Sequence, residues 1–420
     1  MLKRDIGKWG IVLLMLNNVV GAGIYGLPSK LFDLTNMYSL VILACCALIV
    51  FVFVFIFAEV ASQFNRSGGA YLYVYEAYGK LPGFIIGWLM LIGRVAGFAA
   101  LINLIVDYFS YISPYFMEPS IRILTIILLS ILLFLVNVFS VKSSATFSNI
   151  LGISKIIPLL IFICIGLFYM DVNNFTINTA VPDFTSISSA LFVALFAFTS
   201  WETALINTGE MKNPVKNIPS AMIITVAFAA IFYILIQFTV IGTFPDLAFS
   251  TKPIADAAGI FMGPIGGIFI IIGATISILG TLNANLLAGS RLPFALSEEG
   301  QFPKLFSRTH HSTGVPLISL VIYTSISVLV SLSGSFIYAL SINVLSKISC
   351  YILVSMALIT FRRKNSSIPY KLKFGKLLAI MGIILGLFLL YASEYSDFKD
   401  FLIFISIGLV LYFIFRSKSK

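Results

Sequence analysis

The chain has 420 residues, of which 59% are hydrophobic and only 10% charged, and its mean hydropathy is +1.03. Soluble domains carry about a quarter of their residues as charges. No soluble fold of this length could hide so much apolar surface, so lipid has to cover it and soluble classes are excluded. The net charge of +10 does not point to nucleic acid. The basic residues fall in short tracts between long apolar runs, which is how a membrane protein records its orientation.

The start, with Lys3, Arg4 and Lys8 ahead of an apolar stretch, has the outline of a signal peptide. It runs on without a clear cleavage site into a glycine motif, so no cleavage is expected. A span needs about 20 apolar residues. The segments that qualify are 9–33, 38–62, 82–111, 121–140, 148–170, 188–209, 218–244, 262–297, 315–332, 335–361, 376–393 and 398–415. This predicts an all-α integral membrane protein with about twelve spans, and a short interfacial helix within 65–81. With that count, Lys30, Arg122, Lys252 and Lys399 fall on one side of the membrane, and the other basic loop residues fall on the opposite side together with both termini. The side rich in Lys and Arg is the cytoplasmic one, so both termini are expected in the cytoplasm and the chain in the cell membrane.

Span one carries Asn17-Asn18-Val19-Val20-Gly21-Ala22-Gly23-Ile24-Tyr25-Gly26-Leu27-Pro28. Glycine is about 1 kcal/mol worse than alanine inside a helix, and freed backbone groups at membrane depth are tolerated only where protein or a polar cavity satisfies them. An unwound stretch from Gly21 to Ile24 would present N–H groups at the start of a half-helix, where partial positive charge suits a carboxylate. Close helix packing by small residues is the competing reading.

Span six decides between them. Phe196-Ala197-Phe198-Thr199-Ser200-Trp201-Glu202-Thr203 puts small polar residues, an aromatic and an acid at mid-depth, with Glu202 roughly 20 Å from the start of its span by helical rise. Spans one and six are five apart. Interrupted helices at corresponding places in two five-span halves point to an inverted-repeat transporter with its site between the breaks. A single transporter domain over 1–420 is therefore expected, with repeats at 9–170 and 188–361 and two additional helices at 376–415.

Charges inside apolar runs mark a pathway or a site by default. Arg94, Lys155, Arg291, Lys347, Glu59 and Glu202 are such charges. Arg291 and Glu59 lie near span ends, where snorkelling would explain them. Arg94, roughly 18 Å into span three, either pairs with Glu202 or lines the cavity, and the pair is preferred. If it faces the substrate instead, cationic side chains are disfavoured. Lys347 is open between bundle packing and cavity lining. Asn283 and Asn285 either face the pocket or bond helix to helix. Cys45, Cys46, Cys164 and Cys350 sit in apolar runs without a CxxC or Cys/His cluster, so core or lipid-facing positions are expected. His310 and His311 are expected to be solvated in a loop. No metal, cofactor or ATP-binding motif is expected.

These motifs resemble the amino acid–polyamine–organocation (APC) transporter superfamily, with the leucine-transporter-type fold. Within it the chain is similar to bacterial amino acid permeases and to the arginine/agmatine antiporter branch. The resemblance rests on Gly21-Ala22-Gly23-Ile24, on Phe196 to Glu202, and on Glu210-Met211-Lys212-Asn213-Pro214 before Ile218-Pro219. Further along, Ser290-Arg291, Ala295-Leu296, Gly300-Gln301-Phe302-Pro303 and Gly314-Val315-Pro316 carry it too. It implies that a substrate carboxylate meets backbone N–H groups of Ala22, Gly23 and Ile24. The ammonium would meet the carbonyls of Val19, Phe196 and Thr199. Phe196 stands where the arginine-transporting branch has a gating tryptophan, and Ala284 replaces another tryptophan of that branch, which weakens a claim for arginine. Ser200 stands where many relatives have glycine. Lys155 resembles a span-five lysine of sodium-independent members, whose ammonium fills the space of a sodium ion. Held dry, it either releases a proton during the cycle or serves as a fixed tie to span one. Tyr25, Phe196 and Trp201 are candidate gate aromatics, with membrane-interface belts as the alternative.

The expected function is sodium-independent secondary transport of amino acids by alternating access, as proton symport or exchange, with no enzymatic activity. The expected partners are a small-molecule substrate and the lipid bilayer, not nucleic acid, and oligomeric state is not legible. An amine or polyamine carrier and a non-transporting sensor are the rival readings.

Overall fold

The computed structural model describes residues 6–21, 23–64, 68–139, 155–175, 181–310, 315–333, 336–364 and 368–416. Ala22, Arg66, Lys142, Ser154, His311 and Gly314, with Lys3, Arg4, Lys418 and Lys420, lie outside them. Among the described residues the chain is all-helical, and its extended pairing is limited to an isolated bridge between Ile6 and Met211.

The helices are α1 (Lys8–Val19), α2 (Gly23–Thr35), α3 (Ser39–Ala61), α4 (Gly69–Tyr78), α5 (Lys80–Phe109), α6 (Pro119–Phe139), α7 (Ile156–Gly166) and α8 (Phe184–Phe198). A 3-10 segment, Trp201–Glu210, follows α8. Then come α9 (Pro214–Thr243), α10 (Pro253–Phe261), α11 (Gly263–Gly289), α12 (Arg291–Glu298), α13 (Leu317–Ser333), α14 (Phe336–Lys364), α15 (Gly375–Tyr391) and α16 (Tyr395–Arg416). Helical structure falls within every apolar segment read from the sequence. Among the described residues seven stretches are long and apolar enough to cross a membrane by themselves, and α7, α8, α13 and α15 are shorter apolar helices.

Two of the longest helices pack along each other. At 30 residues, α5 is about 45 Å long at 1.5 Å per residue, and it packs along α14. Gly93 and Gly97 let the two approach: a Cβ on Gly93 would lie 3.0 Å from Ser346 Cβ. The Asn343 side-chain amide donates to the Gly93 carbonyl at 2.5 Å. The peripheral helices show the reverse face of the same chemistry. Leu128 and Leu132 on α6, Ile384 and Leu387 on α15, and Ile407 and Val410 on α16 are exposed, which suits lipid and not water.

Three details depart from the sequence reading. The short helix expected within 65–81 is α4, and one face of it is buried against α5 and α14. Helix α10 was not anticipated, although Pro253 at its first position and Asp256 in its first turn are ordinary start signals. Glu59 does not snorkel. It is fully buried, and its two carboxylate oxygens accept from Arg362 Nε at 2.6 Å and Nη2 at 2.7 Å. Arg291 is partly buried and bonds the carbonyl of Leu287, four residues back at the end of α11.

Candidate functional site

Both interruptions lie where the sequence puts them. Helix α1 closes with the Val20 N–H bonded to the Leu16 carbonyl at 2.8 Å, and α2 begins at Gly23. The first N–H groups of α2 have no carbonyl partner within the helix. Helix α8 stops at Phe198. Thr199 is extended (φ −87°, ψ 177°), Ser200 is left-handed (φ 80°, ψ −4°), and the chain resumes as the tighter 3-10 segment. The Thr199 hydroxyl turns back to the Phe196 carbonyl at 2.9 Å.

The two broken rods pack antiparallel. Helix α1 lies on the 3-10 segment and α2 on α8, so the interruptions meet at one level. The contact is tight: a Cβ on Gly23 would come within 3.0 Å of Ala197 Cα and 3.2 Å of Phe196 Cδ1. Tyr233 of α9 reaches in from behind with its hydroxyl on the carbonyls of Val19 and Ala197.

A cavity of about 120 Å³ opens at this level. Asn18, Val19, Gly21 and Gly23 form one wall, and Phe196, Thr199, Ser200 and Thr203 form the next. Arg94, Gly97 and Leu101 of α5, Thr281, Ala284 and Asn285 of α11, and Asn343 and Lys347 of α14 complete it. Gly97 makes room there, since a Cβ would meet the amide nitrogens of Asn343 at 2.9 Å and Asn285 at 3.5 Å. A second chamber of about 20 Å³ adjoins it, lined by Glu202, Ser346 and Cys350, and shares Arg94, Thr203 and Lys347 with the first.

Of the predicted site residues, Val19, Gly21, Gly23, Phe196, Thr199, Ala284 and Arg94 border the cavity. Ala22 lies outside the described residues. Ile24 is buried, one position into α2 and off the cavity wall. Trp201 is fully buried against the edge of Phe57 (centroids 5.0 Å) and stacked on Tyr351 (5.7 Å), so it packs behind the wall rather than on it. Asn283 does not line the cavity. Its side-chain oxygen accepts from the Asn137 amide at 2.8 Å, which is the helix-to-helix alternative. Asn285, not Asn283, faces the cavity, with its amide on the Arg94 carbonyl at 3.0 Å and its oxygen accepting from Tyr323 at 3.2 Å.

The preferred Arg94–Glu202 pair does not form. The Lys347 ammonium bonds one Glu202 oxygen, and the Tyr351 hydroxyl donates to the other at 3.0 Å. Lys347 is one turn from Tyr351 on α14, so one helix supplies a partner to each Glu202 oxygen, and among the described residues Arg94 is not one of its partners. Glu202 therefore borders the smaller chamber and not the main cavity. Lys155, 1% exposed, donates to the carbonyl of Asn17 in the last turn of α1, also off the cavity wall. Tyr25 is fully buried with its ring edge-on to Tyr108, so neither Tyr25 nor Trp201 is an interface-belt residue. Phe196 meets Phe336 edge-on at 6.2 Å, which sets an aromatic pair beside the cavity. The free cysteines divide as expected, with Cys46 and Cys350 buried and Cys45 and Cys164 exposed. No cluster of metal-ligating side chains occurs among the described residues.

The sequence profile of the amino acid permease family matches residues 6–413. Three curated relatives from Bacillus subtilis, each 26% identical, span nearly the whole chain. They are the serine/threonine exchanger SteT (97% of this chain, 95% of the relative), a methylthioribose transporter (99% and 94%) and the branched-chain amino acid permease BcaP (99% and 94%).

Proposed function

This chain belongs to the amino acid permease family, and on that premise we propose that it is a secondary active transporter that moves amino acids by alternating access. The observation that carries this reading is the cavity between two interrupted helices, bordered on two sides by the residues of those interruptions. In this reading the spans number twelve and form two inverted five-helix halves followed by α15 and α16. Both termini lie in the cytoplasm and the protein sits in the cell membrane.

The substrate carboxylate takes N–H groups of the Gly21–Ile24 stretch, Ala22 included, at the positive start of α2. The ammonium takes the carbonyls of Val19, Phe196 and Thr199. Tyr233 already donates to Val19, and the Thr199 hydroxyl to Phe196. A carbonyl has two acceptor positions, so Val19 retains one for the substrate, whereas Phe196 also accepts the Thr199 N–H at 3.4 Å and gives up that long bond when the ammonium arrives. Trp201 acts by packing. It backs the 3-10 segment against Phe57 and Tyr351, while Phe196 with Phe336 closes over the bound molecule.

Transport does not need sodium in this reading. The Lys155 ammonium holds the end of α1 through Asn17, so a fixed cation sits where a coupled one would otherwise act, and exchange or protons supply the driving force. An amine carrier is disfavoured, because a cationic ligand would share the cavity with Arg94 and Lys347. A sensor would bind without flux.

The test is uptake of labelled amino acids by purified protein in sodium-free liposomes. Gly23→Leu is expected to abolish uptake while the protein still elutes as a single species, since Ala197 leaves no space for the side chain. Undiminished uptake in Gly23→Leu would move the site elsewhere. Binding without uptake in the wild type would make the protein a sensor.

A further inference from the structure

We propose that the transported amino acid carries an anionic side chain and that Arg94 is the group that recognises it. The inference rests on the cavity being the substrate site, as argued above, and adds the class of substrate.

Three charged side chains stand around the two adjoining chambers: Arg94, Lys347 and Glu202. The carboxylate is engaged at both oxygens, one on the Lys347 ammonium and the other on the Tyr351 hydroxyl. Lys347 is thereby neutralised. Arg94 keeps its charge, and no hydrogen-bond or ion-pair partner for its guanidinium exists among the described residues. Glu202 acts on it only through space. The amide of Asn285 bonds the Arg94 main-chain carbonyl, so it fixes α11 to α5 without touching the guanidinium.

An unpaired guanidinium at membrane depth is costly unless something anionic completes it. Its planar fork of donors matches a carboxylate, which it can bind through two parallel bonds. Arg94 also stands where the main cavity meets the smaller chamber. A substrate held by its α-carboxylate and ammonium at the two helix breaks sends its side chain across the cavity toward α5. A short acidic side chain, that of aspartate or glutamate, ends in the chemistry Arg94 lacks. A neutral side chain leaves the charge unanswered, and a basic one opposes it.

The test uses the full chain in liposomes with six probes: L-aspartate, L-glutamate, L-serine, L-leucine, L-arginine and putrescine. Wild type is expected to take up aspartate or glutamate, with weak competition from serine and leucine and none from arginine or putrescine. Arg94→Gln should weaken the acidic substrate on the order of a hundredfold relative to serine, and Arg94→Lys should recover part of that preference. Equal loss for all substrates in Arg94→Gln would make Arg94 structural and overturn the proposal. Uptake of a neutral amino acid that neither acid inhibits would overturn the substrate class and leave amino acid transport standing. A folded wild type that takes up no amino acid would overturn both. The wild-type competition series decides the matter even if the Arg94 variants fail to fold.

Discussion

The Tyr233 hydroxyl donates to the carbonyl of Val19 across 2.8 Å and lies 3.1 Å from that of Ala197. One phenol therefore serves the ends of both interrupted helices, from a third helix that is itself unbroken. A helix that stops in an apolar interior leaves carbonyls without intrahelical donors, and water is not at hand to satisfy them. Tyr233→Phe removes the donor and keeps the ring, which packs against Phe198 at 5.1 Å. The expected loss is about 1–3 kcal/mol, the cost of an unsatisfied buried polar group. Thermal unfolding in detergent reads it, and the uptake rate should fall with it. A variant that melts like wild type would show that other donors serve both carbonyls.

Ser200 adopts φ 80° at the start of the 3-10 segment. A side chain in the left-handed region costs roughly 1–2 kcal/mol, and glycine escapes the penalty. Ser200→Gly is expected to keep uptake and hold or raise the melting temperature. Ser200→Val, β-branched and therefore a poor left-handed residue, should lower both. If Val and Gly behave alike, the backbone at 200 is not held in that conformation.

How far the sequence reaches can be judged from these same residues. Both interruptions are legible because they are written in residue types: glycines and a proline after Asn18, and Thr199-Ser200 between aromatics. The partner of Glu202 is not. Depth follows from counting residues at a fixed rise, and it sets Glu202, Arg94 and Lys347 at similar levels. Which way each side chain points depends on the rotation of its helix, and a helix apolar all round has no polar stripe to fix that rotation. Hence Lys347, left open in the sequence, takes the acid, and Arg94 is left facing the cavity. Asn283 and Asn285 show the same limit. Two residues apart on α11, they point about 200° apart by the helical repeat, and only packing decides which meets Asn137 and which meets the cavity.

Lys155 separates a functional charge from a structural one. It is 1% exposed, and among the described residues its ammonium bonds the carbonyl of Asn17. Burying an ammonium costs several kcal/mol, which a single carbonyl does not fully repay. Methionine has a similar length and no charge to desolvate. Lys155→Met is therefore expected to melt at or above the wild-type temperature while uptake falls at least about tenfold, a loss of roughly 1.4 kcal/mol or more in transition-state terms. A variant that loses stability in step with transport would reduce Lys155 to a packing tie between α7 and α1.

The Glu59–Arg362 pair answers a different question, that of what fixes the far end of α14. Glu59 at the end of α3 is fully buried, and both of its oxygens are held by Arg362 near the end of α14. The Leu372 N–H adds a third donor at 3.0 Å from the segment that leads into α15, and Arg362 returns a bond to the Leu372 carbonyl at 2.5 Å. Three parts of the chain meet on one carboxylate. Removing the cation strands a buried charge, so Arg362→Met is expected to cost about 3–5 kcal/mol. Replacing both members removes the stranded charge, so Glu59→Leu with Arg362→Leu should recover much of that loss. The exposed Lys30–Asp33 pair is the control. At 3.0 Å it is well formed, but its side chains are 35% and 51% exposed, and Asp33→Asn should change stability by no more than about 0.5 kcal/mol. Thermal unfolding of the four proteins in one detergent tests the ordering. A double variant as unstable as Arg362→Met would show that the bonds to Leu372, rather than the buried charge, set the cost.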